Sequence, residues 1–243
     1  MTEIWAVIPA AGVGRRMQAD RPKQYLEIEN KTLLQHTIER MASHPRVDGV
    51  VVAVSPEDEY WSDLCLSLDI PLIKVDGGEE RCHSVLNALN YLVQCDKSDV
   101  WVLVHDAARP CVRHADIDLL IEAVLEKNNG GILGLPVSDT LKYCGPQQMI
   151  EKTVSREHLW RALTPQMFLS GELYQAITKS LDDNYLVTDE ASAIEHLGKQ
   201  PCMVEGHPDN IKITRPQDLA LATLFLRQQY EQQEKQQQEQ QQQ

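Results

Sequence analysis

Four cations crowd one short stretch of this chain. Arg15, Arg16, Arg21 and Lys23 stand against a single acid, Asp20, so residues 11–24 carry a local charge of +3 in a chain of net charge −13. Small residues (Ala10, Ala11, Gly12, Gly14) come just before them. With no large side chain in the way, a backbone can approach a ligand closely. Concentrated positive charge on such a loop suits a polyphosphate. A dinucleotide fingerprint is excluded, because Met17 stands where its third glycine belongs, and a P-loop is excluded because Gly14 leads into Arg15-Arg16 and not Lys-Ser/Thr. The bland alternative is a glycine turn with solvated basic side chains.

Asp106 is the second candidate. It follows the apolar run 100–104. Alone it reads equally as a turn residue. Beside a bound polyphosphate it gains a use, since Mg²⁺ is commonly held by one or two carboxylates plus phosphate oxygens. Arg16 and Lys23 could offset charge that builds on an attacked phosphorus. Arg109, Arg156 and Lys212 could grip the phosphate of a second substrate, with Thr140, Thr164 and Thr188 adding hydroxyl contacts. Each of these also reads as a surface or capping residue.

The elements that must position these groups follow from apolar patterning. Buried strands are predicted at 4–8, 47–54, 72–75, 100–104 and 130–137, with helices between them at 32–42, after Arg81 with Val85, Leu86, Leu89, Leu92 and Val93 as the apolar face, and at roughly 115–127. Alternating strands and helices predict an α/β, Rossmann-like fold: a mostly parallel twisted sheet with helices on both faces. Ligands bind such sheets outside the carboxyl ends of the strands, which gathers 9–23, 76–84 and 105–109 on one rim. Residues 138–158 break the rhythm and read as a protruding β-hairpin arm, resting either on a partner subunit or on its own domain. A helix capped by Thr188 ends at Gly198, further strands are expected at 203–206 and 210–214, and a last helix begins near Pro216. Residues 1–227 are read as one domain. Residues 228–243, of which eleven are Gln, are read as frayed helix passing into a disordered tail.

Composition narrows the function classes. A sequence pI of ≈ 5.0 argues against a nucleic-acid partner. No stretch approaches the length of a membrane span, and the N-terminus lacks the pattern of a secretory signal. The six cysteines form no C-x-x-C pair and no metal spacing with the histidines, so they are read as reduced thiols of a cytoplasmic protein.

Taken in order, residues 9–17 (Pro-Ala-Ala-Gly-Val-Gly-Arg-Arg-Met), 22–25 (Pro-Lys-Gln-Tyr), 76–81 (Asp-Gly-Gly-Glu-Glu-Arg), 105–110 (His-Asp-Ala-Ala-Arg-Pro), 188–192 (Thr-Asp-Glu-Ala-Ser) and 209–216 (Asp-Asn-Ile-Lys-Ile-Thr-Arg-Pro) resemble the 2-C-methyl-D-erythritol 4-phosphate cytidylyltransferases. The resemblance runs from about residue 4 to 227. It implies transfer of CMP from CTP to methylerythritol phosphate, releasing pyrophosphate, in non-mevalonate isoprenoid synthesis. It implies Arg16 and Lys23 at the transition state, Asp106 on Mg²⁺, and Ala10, Ala11, Gly12, Gly78, Glu79 and Ser84 around the cytidine. It places Arg156 and Lys212 on the methylerythritol phosphate, helped by Arg109, Thr140, Thr164 and Thr188. It also implies a homodimer whose arm reaches the partner, which would put Thr140 and Arg156 in the neighbouring site. Many members carry Asp where this chain has Glu79. Two other functions stay open: a cytidylyltransferase for another polyol phosphate, such as ribitol 5-phosphate, and a nucleotide-binding regulator without catalysis.

Overall fold

A computed structural model describes residues 2–12 and 21–241. The strand β1 (Ile4–Pro9) is apolar throughout and shows why the sheet forms where it does. Alternate side chains leave it on opposite faces. Ile4, Ala6 and Ile8 join one core, while Trp5 and Val7 join the other. Such a strand is at home only in mid-sheet with both faces covered. It lies between β4 (Gly49–Val54) and β6 (Trp101–Val104), parallel to both. The seven-stranded order is β11-β7-β10-β6-β1-β4-β5, with β5 at Leu72–Asp76, β7 at Gly131–Pro136, β10 at Trp160–Leu169 and β11 at Cys202–Glu205. Only β10 runs antiparallel to its neighbours. A small ribbon, β2 (Glu27–Ile28) with β3 (Lys31–Thr32), leads into the first helix.

Helices cover both faces, as the patterning predicts. Against one face lie α1 (Leu33–Ala42), through Leu34, Ile38 and Met41, and α3 (His114–Lys127), through Ile117, Leu120, Ile121 and Val124. Against the other lie α2 (Arg81–Gln94), α4 (Ser170–Asp182) and α5 (Glu190–His196). Each fully buried aliphatic side chain on these helices contributes about 1.5–3 kcal/mol.

Four local expectations change. The cap of α5 is Asp189, not Thr188: Asp189 accepts from the Ser192 N–H, and Ser192 closes the reciprocal bond. Residues 210–214 form no strand. Ile213 sinks into a third apolar cluster, and its N–H bonds Ala108 O at 2.9 Å. The strand β10 and helix α4 have no counterpart in the sequence reading. The last helix, α6 (Pro216–Gln241), continues through most of the Gln-rich segment, in keeping with the good helix propensity of Gln and Glu.

The hairpin forms as β8 (Leu141–Cys144) and β9 (Ile150–Val154), a two-stranded sheet of its own. Tyr143, Met149 and Ile150 on it are 54%, 69% and 64% exposed, so this chain alone leaves the ribbon's apolar side chains in water.

Candidate active site

The carboxyl ends of β1 and β6 lie side by side at the point where strand order reverses, β4 and β5 following on one side and β6 on the other. This is the expected ligand position in an open α/β sheet. A cleft opens there, lined by Pro9 to Gly12, Lys23, Gln24, residues 78–81, Ser84, Asp106 to Ala108 and Lys212. The three predicted rim segments therefore converge, joined by Lys212 from the loop before α6. Arg16 lies outside the described residues.

The first wall is fixed by two backbone ties. Ala10 N–H bonds Ala53 O at 2.7 Å, and Ala10 O accepts from the Gln24 side chain, also at 2.7 Å. Gln24 belongs to a 3₁₀ turn, Lys23–Tyr25, held at its other end by buried Tyr25, whose hydroxyl donates to Asp58 at 2.9 Å. Lys23 thus sits on a turn anchored on both sides.

The opposite wall is the turn into α2. At Gly77 a Cβ would lie 2.4 Å from Ala11 Cβ, and at Gly78 it would lie 2.3 Å from His83 Cβ. Gly77 lets the two walls approach, and Gly78 lets the turn close onto α2. Gly78 N–H bonds Ser84 Oγ at 3.1 Å, and Ser84 donates in turn to Glu80 O at 3.3 Å. Ser84 is buried and closes the turn, while Glu79 is exposed at its edge.

Asp106 lies on the cleft floor, its side chain 9% exposed. Arg81 donates to Oδ1 at 2.8 Å, Lys212 reaches Oδ2 at 2.9 Å, and Arg109 reaches Oδ2 at 3.4 Å. Burial by itself would raise the Asp106 pKa. Arg81, Lys212 and Arg109 outweigh it and hold the carboxyl well below the usual range. Arg81 also grips Glu190 through two bonds, at 2.5 and 3.0 Å. Burial pushes Glu190 upward despite this partner. Arg81 is held charged, because Glu190 and Asp106 overcome the opposing effect of burial.

Behind Asp106 lies a polar bracket. The Thr164 hydroxyl accepts the Asp106 N–H at 3.1 Å and stands 2.9 Å from His105 Nδ1, while His105 Nε2 faces Arg109 O at 3.0 Å. A carbonyl only accepts, so Nε2 carries the proton and Nδ1 accepts from Thr164. Arg109 binds Asn210 O at 2.8 Å, and Asn210 binds Thr164 O at 2.8 Å. Arg109 and Thr164 are buried and face the back of Asp106. Thr140 and Arg156 are exposed on or beside the arm, where Arg156 donates to Ser138 O, and neither lines this cleft. Thr188 is exposed ahead of α5.

Sequence reasoning gave no role to Arg81, Gln24, His105, Glu190 or Asn210. For Arg81 one signal was available, its position directly after the Gly-Gly turn on the rim.

Burial lowers the His105 pKa to about 4 from 6.5. Below pH 6.5 the unfolded chain takes up a proton here and the folded chain does not. Stability therefore falls as pH drops from about 6.5 toward 4, by roughly 3 kcal/mol from this group. Burial also lowers His36, His44 and His114, which act with the same sign. Urea unfolding of wild type and His105→Gln between those pH values should give a shallower slope in the variant. Equal slopes would remove His105 as a source of the effect.

The donor set can hold a hard divalent cation. A buried, ionised carboxylate, Asp106, lies at the floor, leaving the remaining ligands to phosphate oxygens and water.

Comparison with known proteins agrees with this geometry. The sequence model of IspD, 2-C-methyl-D-erythritol 4-phosphate cytidylyltransferase, matches residues 4–228. The protein of that name from Vibrio vulnificus (strain YJ016) is 55% identical over 229 residues, covering 94% of this chain and 97% of the relative. Its Vibrio cholerae counterpart is 52% identical over 231 residues, covering 95% and 99%. The crystal structure of the Francisella tularensis enzyme superposes with a TM-score of 0.79 at 38% identity, covering 92% of this chain and 100% of that one. With the cleft at the strand-order reversal and its cationic walls in hand, the chain belongs to the 2-C-methyl-D-erythritol 4-phosphate cytidylyltransferase family.

Proposed function

We infer that this enzyme transfers CMP from CTP to 2-C-methyl-D-erythritol 4-phosphate, giving 4-diphosphocytidyl-2-C-methyl-D-erythritol and pyrophosphate, a step of isoprenoid precursor synthesis. The observation that carries this reading is the convergence of Lys23, Lys212 and Asp106 on one cleft in a chain of this family. A phosphate oxygen of the acceptor attacks the α-phosphorus of CTP, and the bond to the β-phosphate bridging oxygen breaks. Charge on the non-bridging oxygens is met by Lys23 and, in our proposal, by Arg16. Fixed cations aimed before reaction need no reorganisation as that charge develops.

We assign Ala10, Ala11, Gly12, Gly78, Glu79 and Ser84 to the cytidine side of the cleft. Lys212 is assigned to the acceptor phosphate, with Arg109 and Thr164 bracing Asp106. Asp106 would hold Mg²⁺, whose chemistry is to neutralise the triphosphate and the departing pyrophosphate. Thr188 borders the acceptor side. Thr140 and Arg156 serve the partner's site in a homodimer joined through the arm. The exposed apolar side chains of the hairpin support this, since a second copy gives them cover. The six free cysteines fit a cytoplasmic location, and among the described residues no helix is long and apolar enough to cross a membrane.

Pyrophosphate release tests both levels of the proposal. It should require CTP, Mg²⁺ and methylerythritol phosphate together, and run faster with that acceptor than with ribitol 5-phosphate. Preference for ribitol 5-phosphate would reject the acceptor. CTP binding with no release from either acceptor would favour a regulator. In the same assay, mixing Arg156→Ala with Asp106→Ala should restore activity after subunit exchange if sites combine two chains. No recovery would place each site within one chain.

A further inference from the structure

We propose that Glu80, Cys82 and His83, at the start of α2, form a binding site for Zn²⁺ or a similarly soft divalent cation, separate from Asp106. The sequence reading found no histidine–cysteine metal spacing, because an adjacent Cys-His pair is not a familiar ligand pattern. The turn into α2 supplies what spacing does not. One potential ligand atom from each of the three residues lies within 4.8 Å of the other two. Cys82 Sγ stands 3.8 Å from Glu80 Oε2. A tetrahedral zinc ion with ordinary Zn–S and Zn–O bonds would set sulfur and oxygen about 3.6 Å apart. The pair therefore needs little movement to share an ion.

A second observation points to a ligand. His83 Nδ1 is buried and has no hydrogen-bond partner among the described residues. An unsatisfied buried ring nitrogen costs free energy that a metal bond or an internal hydrogen bond would otherwise recover. The ligand chemistry selects the ion. Thiolate with imidazole prefers Zn²⁺, Co²⁺ or Cd²⁺ over Mg²⁺, which takes oxygen ligands. Thiolate and carboxylate together carry two negative charges, matching a divalent ion, and the thiol proton leaves to solvent on binding. Three protein ligands leave one tetrahedral position for water. The site also adjoins the nucleotide cleft, because Glu80 lines it and His83 packs against Gly78.

Co²⁺ added to the full-length protein is the test, since a thiolate–Co²⁺ bond gives a charge-transfer absorption that oxygen ligands do not. The expected result is a band that saturates at one equivalent and is displaced by Zn²⁺ but not by Mg²⁺. Cys82→Ser should abolish it. Glu80→Gln and His83→Gln, which alter less buried positions, should each weaken Co²⁺ binding by at least about tenfold. Cys65→Ser, Cys95→Ser and Asp106→Asn should leave the band in place. No band in the wild type, or a band that survives in folded Cys82→Ser, would overturn the proposal. So would unchanged Co²⁺ affinity in both Glu80→Gln and His83→Gln. These readouts do not depend on turnover, so they stand apart from the assignment of the acceptor.

Discussion

Lys23→Ala should lower kcat by about 10²–10³-fold, the loss of some 2.7–4 kcal/mol of transition-state stabilisation that follows removal of one preorganised group. The reason is where the charge sits. Lys23 lines the cleft on a turn locked by the Gln24 bond to Ala10 O and by buried Tyr25. Neither anchor uses the lysine side chain, so the turn should survive the substitution. The thermal midpoint should therefore change little while turnover collapses. Lys23→Arg keeps the charge but exchanges a compact ammonium for a planar fork, and should recover only part of the rate. Steady-state kinetics at saturating CTP, beside a melting curve, checks this. A kcat near the wild-type value in folded Lys23→Ala would take the residue out of the mechanism.

Arg81→Met should be the most destabilising change at the site. The guanidinium stands between two buried carboxylates, Asp106 and Glu190, and bonds to both. Its removal leaves Glu190 buried without the partner that offsets desolvation. Breaking a buried pair from one side costs about 3–5 kcal/mol, which lowers the Tm by roughly 2–4 °C per kcal/mol in a chain of this size. Asp106 keeps Lys212 and Arg109 but loses its bond on Oδ1, so activity should fall with stability. The double variant Arg81→Met/Glu190→Leu separates the causes. It removes the stranded carboxylate and should regain a large part of the lost stability without regaining activity. Additive losses in the double variant would mean that the two side chains are not energetically coupled.

Much of this architecture was legible in the sequence because its strands are near-continuous apolar runs, and parallel sheets buried on both faces demand such runs. The rim rule then gathered residues 10–12, Lys23, 78–84 and Asp106 before any geometry was known. What escaped has a common cause. The strand β10 carries Arg161 near its start and Thr164, Pro165 and Gln166 in its middle, so it shows neither an apolar run nor clean alternation. Its polar groups are tolerated in the sheet because each of two key ones finds partners: Thr164 with Asp106 and His105, Gln166 with Asp189 and the Ala191 N–H. The buried ion pair of Arg81 with Glu190 joins residues 109 positions apart, a match that no local window contains. Residues 210–214 failed for the opposite reason. They alternate like a strand, yet only Ile213 is apolar and fully buried, with Lys212 turned to the cleft.

The hairpin leaves the sheet after β7 and returns at β10, where Trp160 sits opposite Pro136 and the Val137 N–H bonds Leu159 O at 2.9 Å. Its two ends are therefore fastened to each other where β7 pairs with β10, and the ribbon between them forms a sheet of its own. Lengthening such an excursion costs only about 0.6 kcal/mol per doubling. Evolution, or an engineer, can rewrite the ribbon between Leu141 and Val154 to suit a new neighbour while the cleft lining, and Thr140 and Arg156 beside the ribbon, are inherited untouched.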